Sequence, residues 1–189
     1  MNVLYIEREK LEKTFSELEE TLNSYALPLW EQLPDIELYM DQVTSLVDKY
    51  LGIYNEVTGM QKLITPSMIN NYVKLGIIPP PIRKKYSRTH MAYLLIICTL
   101  KQTLDIATIK KIIPIEEADG ISKIYDSFVK NQQKAFLYVT ESVRSVAQPI
   151  FNIKGDNQER MNDLALQVAA SANIFKIFTE RISNISSEK

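Results

Sequence analysis

The chain has 189 residues, of which 46% are apolar and 24% charged, which excludes a disordered or collagen-like polymer and allows the core of one domain or two small ones. Only five glycines occur, and apolar residues recur at intervals of three and four, so the expected fold class is all-α. The net charge of −1 is segregated: residues 1–60 hold 4 bases against 12 acids, residues 61–112 hold nine bases against Asp105 alone, a balance of +8, and the rest is near neutral.

The first predicted element is an amphipathic helix. Leu11, Phe15, Leu18, Leu22 and Tyr25 are spaced by fours and threes, with Glu9, Glu12, Glu17, Glu19 and Glu20 between them. One narrow apolar seam of this kind needs a partner helix. Pro28 and Pro34 bracket Trp30 in a turn-rich linker, which closes a first region at residue 34. A second helix is expected from Asp35, as its cap, through Tyr39, Val43, Leu46, Val47 and Tyr50 to about Gly52.

A third helix, residues 66–75, is punctuated at both ends. Thr65 suits the cap, Pro66 the first helical position and Gly76 the left-handed residue beyond the end. Met68, Ile69, Tyr72 and Val73 form its inward stripe, leaving Ser67, Asn70, Asn71 and Lys74 outward. Pro79, Pro80 and Pro81 then exclude helix, so residues 77–86 read as an edge strand or wing-like loop that presents Arg83, Lys84 and Lys85 together.

Ser87 is placed to cap an apolar helix over residues 91–100, and a short helix over 107–113 stops at Pro114. The run 91–100 is about half the length of a membrane span, so it is expected in the core. Two long amphipathic helices follow. The first covers about 120–148 and ends at Pro149. The second opens near Asp156 and repeats Met161, Leu164, Val168, Ser171, Phe175, Phe178, Ile182 and Ile185 at alternating three and four. The expected regions are thus 1–34, 35–115 and 116–189.

Little in the sequence supports catalysis. His90 and Cys98 are the only residues of their kinds, so zinc sites built on those ligands and a Cys–His nucleophile network have little to draw on. There is no glycine-rich phosphate loop and no nucleophile elbow. Glu116, Glu117 and Asp119 fit a helix start that acids complement electrostatically. Phe128, Phe136, Tyr138, Phe151, Phe175 and Phe178 fit core packing better than an effector pocket, though a small-molecule effector stays open. We expect no enzyme, no cofactor and no metal. The lone cysteine and the opening MNVLYIEREK, which lacks an export signal, point to the cytoplasm.

The residues Ile64-Thr65, Ile69 through Tyr72, Gly76-Ile77-Ile78-Pro79 and Lys85-Tyr86-Ser87, followed by the ladder Leu94, Ile97, Leu100 and Ile109, resemble the DNA-binding domain of MerR-type winged helix-turn-helix regulators. More narrowly, MINNYVKLGIIPPPIRKKYSRTHM is similar to an uncharacterised bacterial family known only as a domain of unknown function and regarded as MerR-related. The resemblance implies that helix 66–75 enters the major groove of duplex DNA while the basic wing, residues 82–88, lies on phosphates. Carried over by position, Ser67, Asn70, Asn71, Tyr72 and Tyr86 fall at the family's contact positions; Lys74 is the helix's one base-proximal cation, and the charges of Arg83, Lys84, Lys85 and Arg88 are expected to grip phosphate. The resemblance also implies a transcriptional regulator that forms a homodimer through its C-terminal helices. The sequence departs from the pattern in lacking the Gly-Tyr-Arg wing turn and in carrying Leu104-Asp105-Ile106 where a glycine turn is usual. The alternative is a helical protein-interaction module that keeps this scaffold without reading DNA; acids lying over the wing would favour it.

Overall fold

A computed structural model describes residues 3–59, 62–115, 118–152 and 157–186. Among these the secondary structure is eight α-helices, one 3-10 turn and two isolated β-bridges, with no longer strand, so the fold is all-α. Glu116, Glu117 and Asp156 lie outside the described residues, as do the side chains of Glu9, Leu11 and Phe151. None of the described helices is long and apolar enough to cross a membrane.

The chain forms two compact units: residues 26–131 with 182–189, and residues 1–25 with 132–181. The first is built on a central helix. In chain order it holds the 3-10 turn Trp30–Gln32, α2 (Met40–Tyr50), α3 (Gly52–Thr58), α4 (Pro66–Lys74), α5 (Arg88–Leu100), α6 (Ile106–Ile112) and the start of α7 (Ala118–Asn152). Nine consecutive residues of α5, His90 to Cys98, are buried. A helix that is apolar on every side must be surrounded. α2 packs on it with Val43 and Val47, and α2 also meets α4, which turns Ile69 and Tyr72 inward.

Two expectations fail here for backbone reasons. Asp35 does not cap α2. Residues 35–39 stay outside the helix: Leu38 and Tyr86 exchange backbone hydrogen bonds of 2.8 Å in both directions, an antiparallel bridge that a helix at Leu38 would forfeit. The helix starts two residues later, where the Gln42 side chain accepts from the Tyr39 N–H at 2.8 Å. Pro149 does not end α7 either, which continues to Asn152 with the proline inside it. Near a helix terminus the ring removes one intrahelical bond and leaves little helix beyond it to kink.

The second unit consists of α1 (Val3–Ser24), the later part of α7 and most of α8 (Asn157–Ser186). Tyr25 meets Phe136 edge to face, with ring centres 5.8 Å apart. Glu19 is buried and accepts a bidentate hydrogen bond from Arg144, whose Nε lies 2.8 Å from Oε1. That guanidinium holds the Glu19 carboxyl below the ordinary carboxylate range, against the opposing effect of burial. Along α8, Leu164 is buried, whereas every residue from Ala165 to Phe178 is exposed.

Candidate nucleic-acid interface

The outward face of α4 is fixed by caps at both ends. The Thr65 side chain accepts from the Met68 N–H, and Pro66 occupies the first turn, where its missing donor leaves nothing unpaired. Beyond the other end Gly76 takes φ +62°. The Gly76 N–H then bonds to the Val73 carbonyl at 3.0 Å and the Ile77 N–H to that of Tyr72 at 2.9 Å, the paired bonds of a Schellman cap. Lys110 Nζ adds a bond of 3.0 Å to the Leu75 carbonyl. Ile69 and Tyr72 point inward, and Ser67, Asn70, Asn71 and Lys74 stand on the other side, toward solvent.

The wing is a minimal hairpin. Ile82 and Lys85 pair through bonds of 3.2 and 2.9 Å, with Arg83 and Lys84 as the two turn residues at φ +51° and +64°. Positive φ at both positions defines the type I′ turn that matches strand twist, a conformation usually given to Asn-Gly. Here two long cations occupy it, each at a cost of about 1 kcal/mol of left-handed strain. Both are exposed, and among the described residues no ion pair holds either of them.

At the base of the wing the cations have partners. Lys85 Nζ lies 3.0 Å from Glu37 and 5.9 Å from the centre of the Tyr39 ring. Hydrogen bonding to Glu37 raises the Lys85 pKa. Arg88 reaches Glu31 at 3.0 Å and Asp35 at 3.5 Å, lies over the Trp30 ring at 5.6 Å, and has a side chain only 15% exposed. Residues 28–39 therefore form an acidic strap. Its other end is anchored on α7, where Tyr125 Oη donates to the Pro28 carbonyl and the Trp30 N–H donates to Asp126, each at 2.8 Å.

His90 closes the junction between wing and α5. Its Nδ1 accepts from the Ser87 N–H at 3.0 Å and lies 2.9 Å from the Ser87 hydroxyl, and the ring meets Tyr86 edge to face at 5.3 Å. A backbone N–H can only donate, so Nδ1 carries no proton and the imidazole is neutral. Burial pushes the His90 pKa down, and the Pro80 and Pro79 backbone acts in the opposite sense.

The expected contact residues thus divide. Ser67, Asn70, Asn71, Lys74, Arg83 and Lys84 are on the surface. Tyr72 and Tyr86 are core residues, 1% and 2% exposed, and lie beneath that surface. Among the described residues the Tyr72 hydroxyl has no hydrogen-bond partner, and burial pushes its pKa up to about 12. Lys85 and Arg88 are engaged by the strap. The acids that reach the wing are Glu31, Asp35 and Glu37, and they fall in the stretch from residue 14 to residue 48 that holds acids without a single base.

The strap also marks where the domain begins. A family model described as a domain of unknown function, DUF1836, matches residues 28–135. The chain belongs to the DUF1836 family. Its matched region is wider at both ends than the expected 35–115 and nearly coincides with the compact unit of residues 26–131. The matched region includes the strap and the start of α7, where Pro28 and Trp30 are bonded to Tyr125 and Asp126. No curated protein and no solved structure matches the chain.

Proposed function

We propose that this DUF1836 protein is a non-catalytic, cytoplasmic, MerR-like winged helix-turn-helix regulator of transcription. It binds duplex DNA with α4 in the major groove and the wing tip on phosphates, as a homodimer through its C-terminal helices. One observation carries the reading: Arg83 and Lys84 stand exposed on a strained two-residue turn, shortly beyond a capped helix whose outward face is Ser67, Asn70, Asn71 and Lys74. Strain of this sort persists where the side chains it displays are used. Asparagine pairs bidentately with adenine in the major groove, and arginine and lysine release counterions from phosphate.

The test is binding to random and genomic duplexes over a salt series. Lys74, Arg83 and Lys84 give about three phosphate contacts per copy and a log–log salt slope of roughly −2.7 per copy. Arg83→Ala/Lys84→Ala should remove about two-thirds of that slope for every duplex. Asn70→Ala/Asn71→Ala should leave it intact while flattening any preference among sequences. A chain that binds no duplex at low salt refutes the reading.

A second reading is favoured by one specific feature, the strap acids Glu31, Asp35 and Glu37 on Arg88 and Lys85. Under it the scaffold is a helical protein-interaction module without DNA readout, and Arg83→Ala/Lys84→Ala would change neither DNA retention nor stability.

A further inference from the structure

α8 has two apolar sides, and among the described residues only one of them meets its own chain. Val168, Ala172 and Phe175 line a cavity of about 300 Å³ shared with Tyr138, Val139 and Val146 of α7. On a different side, Asp163, Leu166, Ala170, Ile174, Ile177 and Arg181 follow at intervals of three and four within an arc of about 80°. All six are exposed, with Leu166 at 68%, Ile174 at 51% and Ile177 at 52%. From Leu164 to Phe178 the only charged residue is Lys176, which is paired with Glu180 one turn on, so this stripe is an apolar band with an acid at one end and a base at the other.

We infer that this stripe is the contact between two copies of the chain, packed antiparallel about a two-fold axis midway between Ala170 and Ile174. Turning the stripe end for end about that point sets Ala170 against Ile174, Leu166 against Ile177, and Asp163 against Arg181. Two-fold symmetry makes each of these contacts twice. The small side chain of Ala170 gives room for the larger Ile174, and the oppositely charged ends meet. Parallel pairing would instead put acid on acid and base on base. A helix whose apolar surface extends over two sides is stable in water only when both are covered. The inference deepens the two-copy part of the reading above and depends on that part alone, not on DNA.

Sedimentation of the full chain without DNA, over a concentration series, provides the test. The wild-type chain should dimerise. Asp163→Lys sets lysine against Arg181 of the other copy at two symmetric places, and should weaken association about tenfold. Arg181→Asp should do the same through two acid pairs. Combining the two restores opposite charges and should recover affinity to within about threefold of wild type. Both positions are exposed, so folding should be unaffected, and circular dichroism verifies that. A chain that is monomeric throughout, single reversals without effect, or a double variant weaker than either single one would each overturn the inference. Because DNA is absent, failure here leaves the DNA reading standing, and failure of DNA binding leaves a recovered dimer standing.

Discussion

The double substitution Arg83→Asn/Lys84→Gly puts the preferred type I′ pair into a turn now held by two bulky L-residues at φ +51° and +64°. Relief of left-handed strain contributes about 1 kcal/mol from the glycine at the second turn position and about 0.5 kcal/mol from the asparagine at the first, and the extra freedom of glycine in the unfolded chain offsets about 0.5 kcal/mol. The net gain of about 1 kcal/mol corresponds to about 3 °C in Tm for a chain of this size. If the wing tip grips phosphate as proposed, the same change deletes two phosphate contacts and lowers the salt slope by about 1.8. Between about 50 and 200 mM salt, wild type should therefore lose roughly tenfold more affinity than the variant. Thermal unfolding and duplex titration read the two effects separately, with Arg83→Ala/Lys84→Ala as the control that removes charge and keeps the strain. If the Asn-Gly turn is no more stable than the Ala-Ala one, the strain argument fails. If it keeps the wild-type slope, the wing tip does not grip phosphate.

His90 sets a pH dependence. Its folded pKa lies below the ordinary 6.5, so its contribution to stability is complete above that value and is lost as pH falls through the folded pKa; denaturant midpoints should decline below pH 6.5 by an amount that is absent from His90→Gln. Tyr72→Phe removes a buried hydroxyl without a hydrogen-bond partner among the described residues and should be neutral or stabilising by up to about 1 kcal/mol. Its duplex affinity should match wild type, whereas a drop at unchanged stability would return Tyr72 to the contact surface.

The helices are legible in the sequence because their signals are local. Thr65, Pro66 and Gly76 mark α4 to within a residue, and the apolar run over 91–100 can only be a surrounded helix. That residues 35–39 stay outside the helix is not legible from Asp35, since the bridge at Leu38 is to Tyr86, far along the chain. Pro149 fails as a stop signal because propensity is weak near a helix end. Within the candidate site, periodicity gives the outward side of α4 correctly, yet the resemblance carries Tyr72 and Tyr86 over as contacts although both are core. The pairing of Lys85 and Arg88 is hidden for another reason: total charge over a segment records how many cations there are, not which ones an acid reaches.

That distinction bears on how strongly the domain can hold a polyanion. Nine bases in residues 61–112 suggest a slope near −8 if each met a phosphate. The structure commits four of them elsewhere: Lys85 to Glu37, Arg88 to Glu31 and Asp35, Lys110 to the Leu75 carbonyl and Lys111 to Asn184 at 2.7 Å. Arg88 is the clearest case, since a guanidinium with a 15% exposed side chain, two carboxylates and an indole face cannot turn outward without unseating the strap. The cations at the base of the wing thus maintain its attachment to residues 28–39, and the strained pair at its tip has no ion pair among the described residues. A wing divided in this way has its position set by the fold and its charge concentrated at two residues, so changes at Arg83 and Lys84 should act on binding and changes at Arg88 on stability.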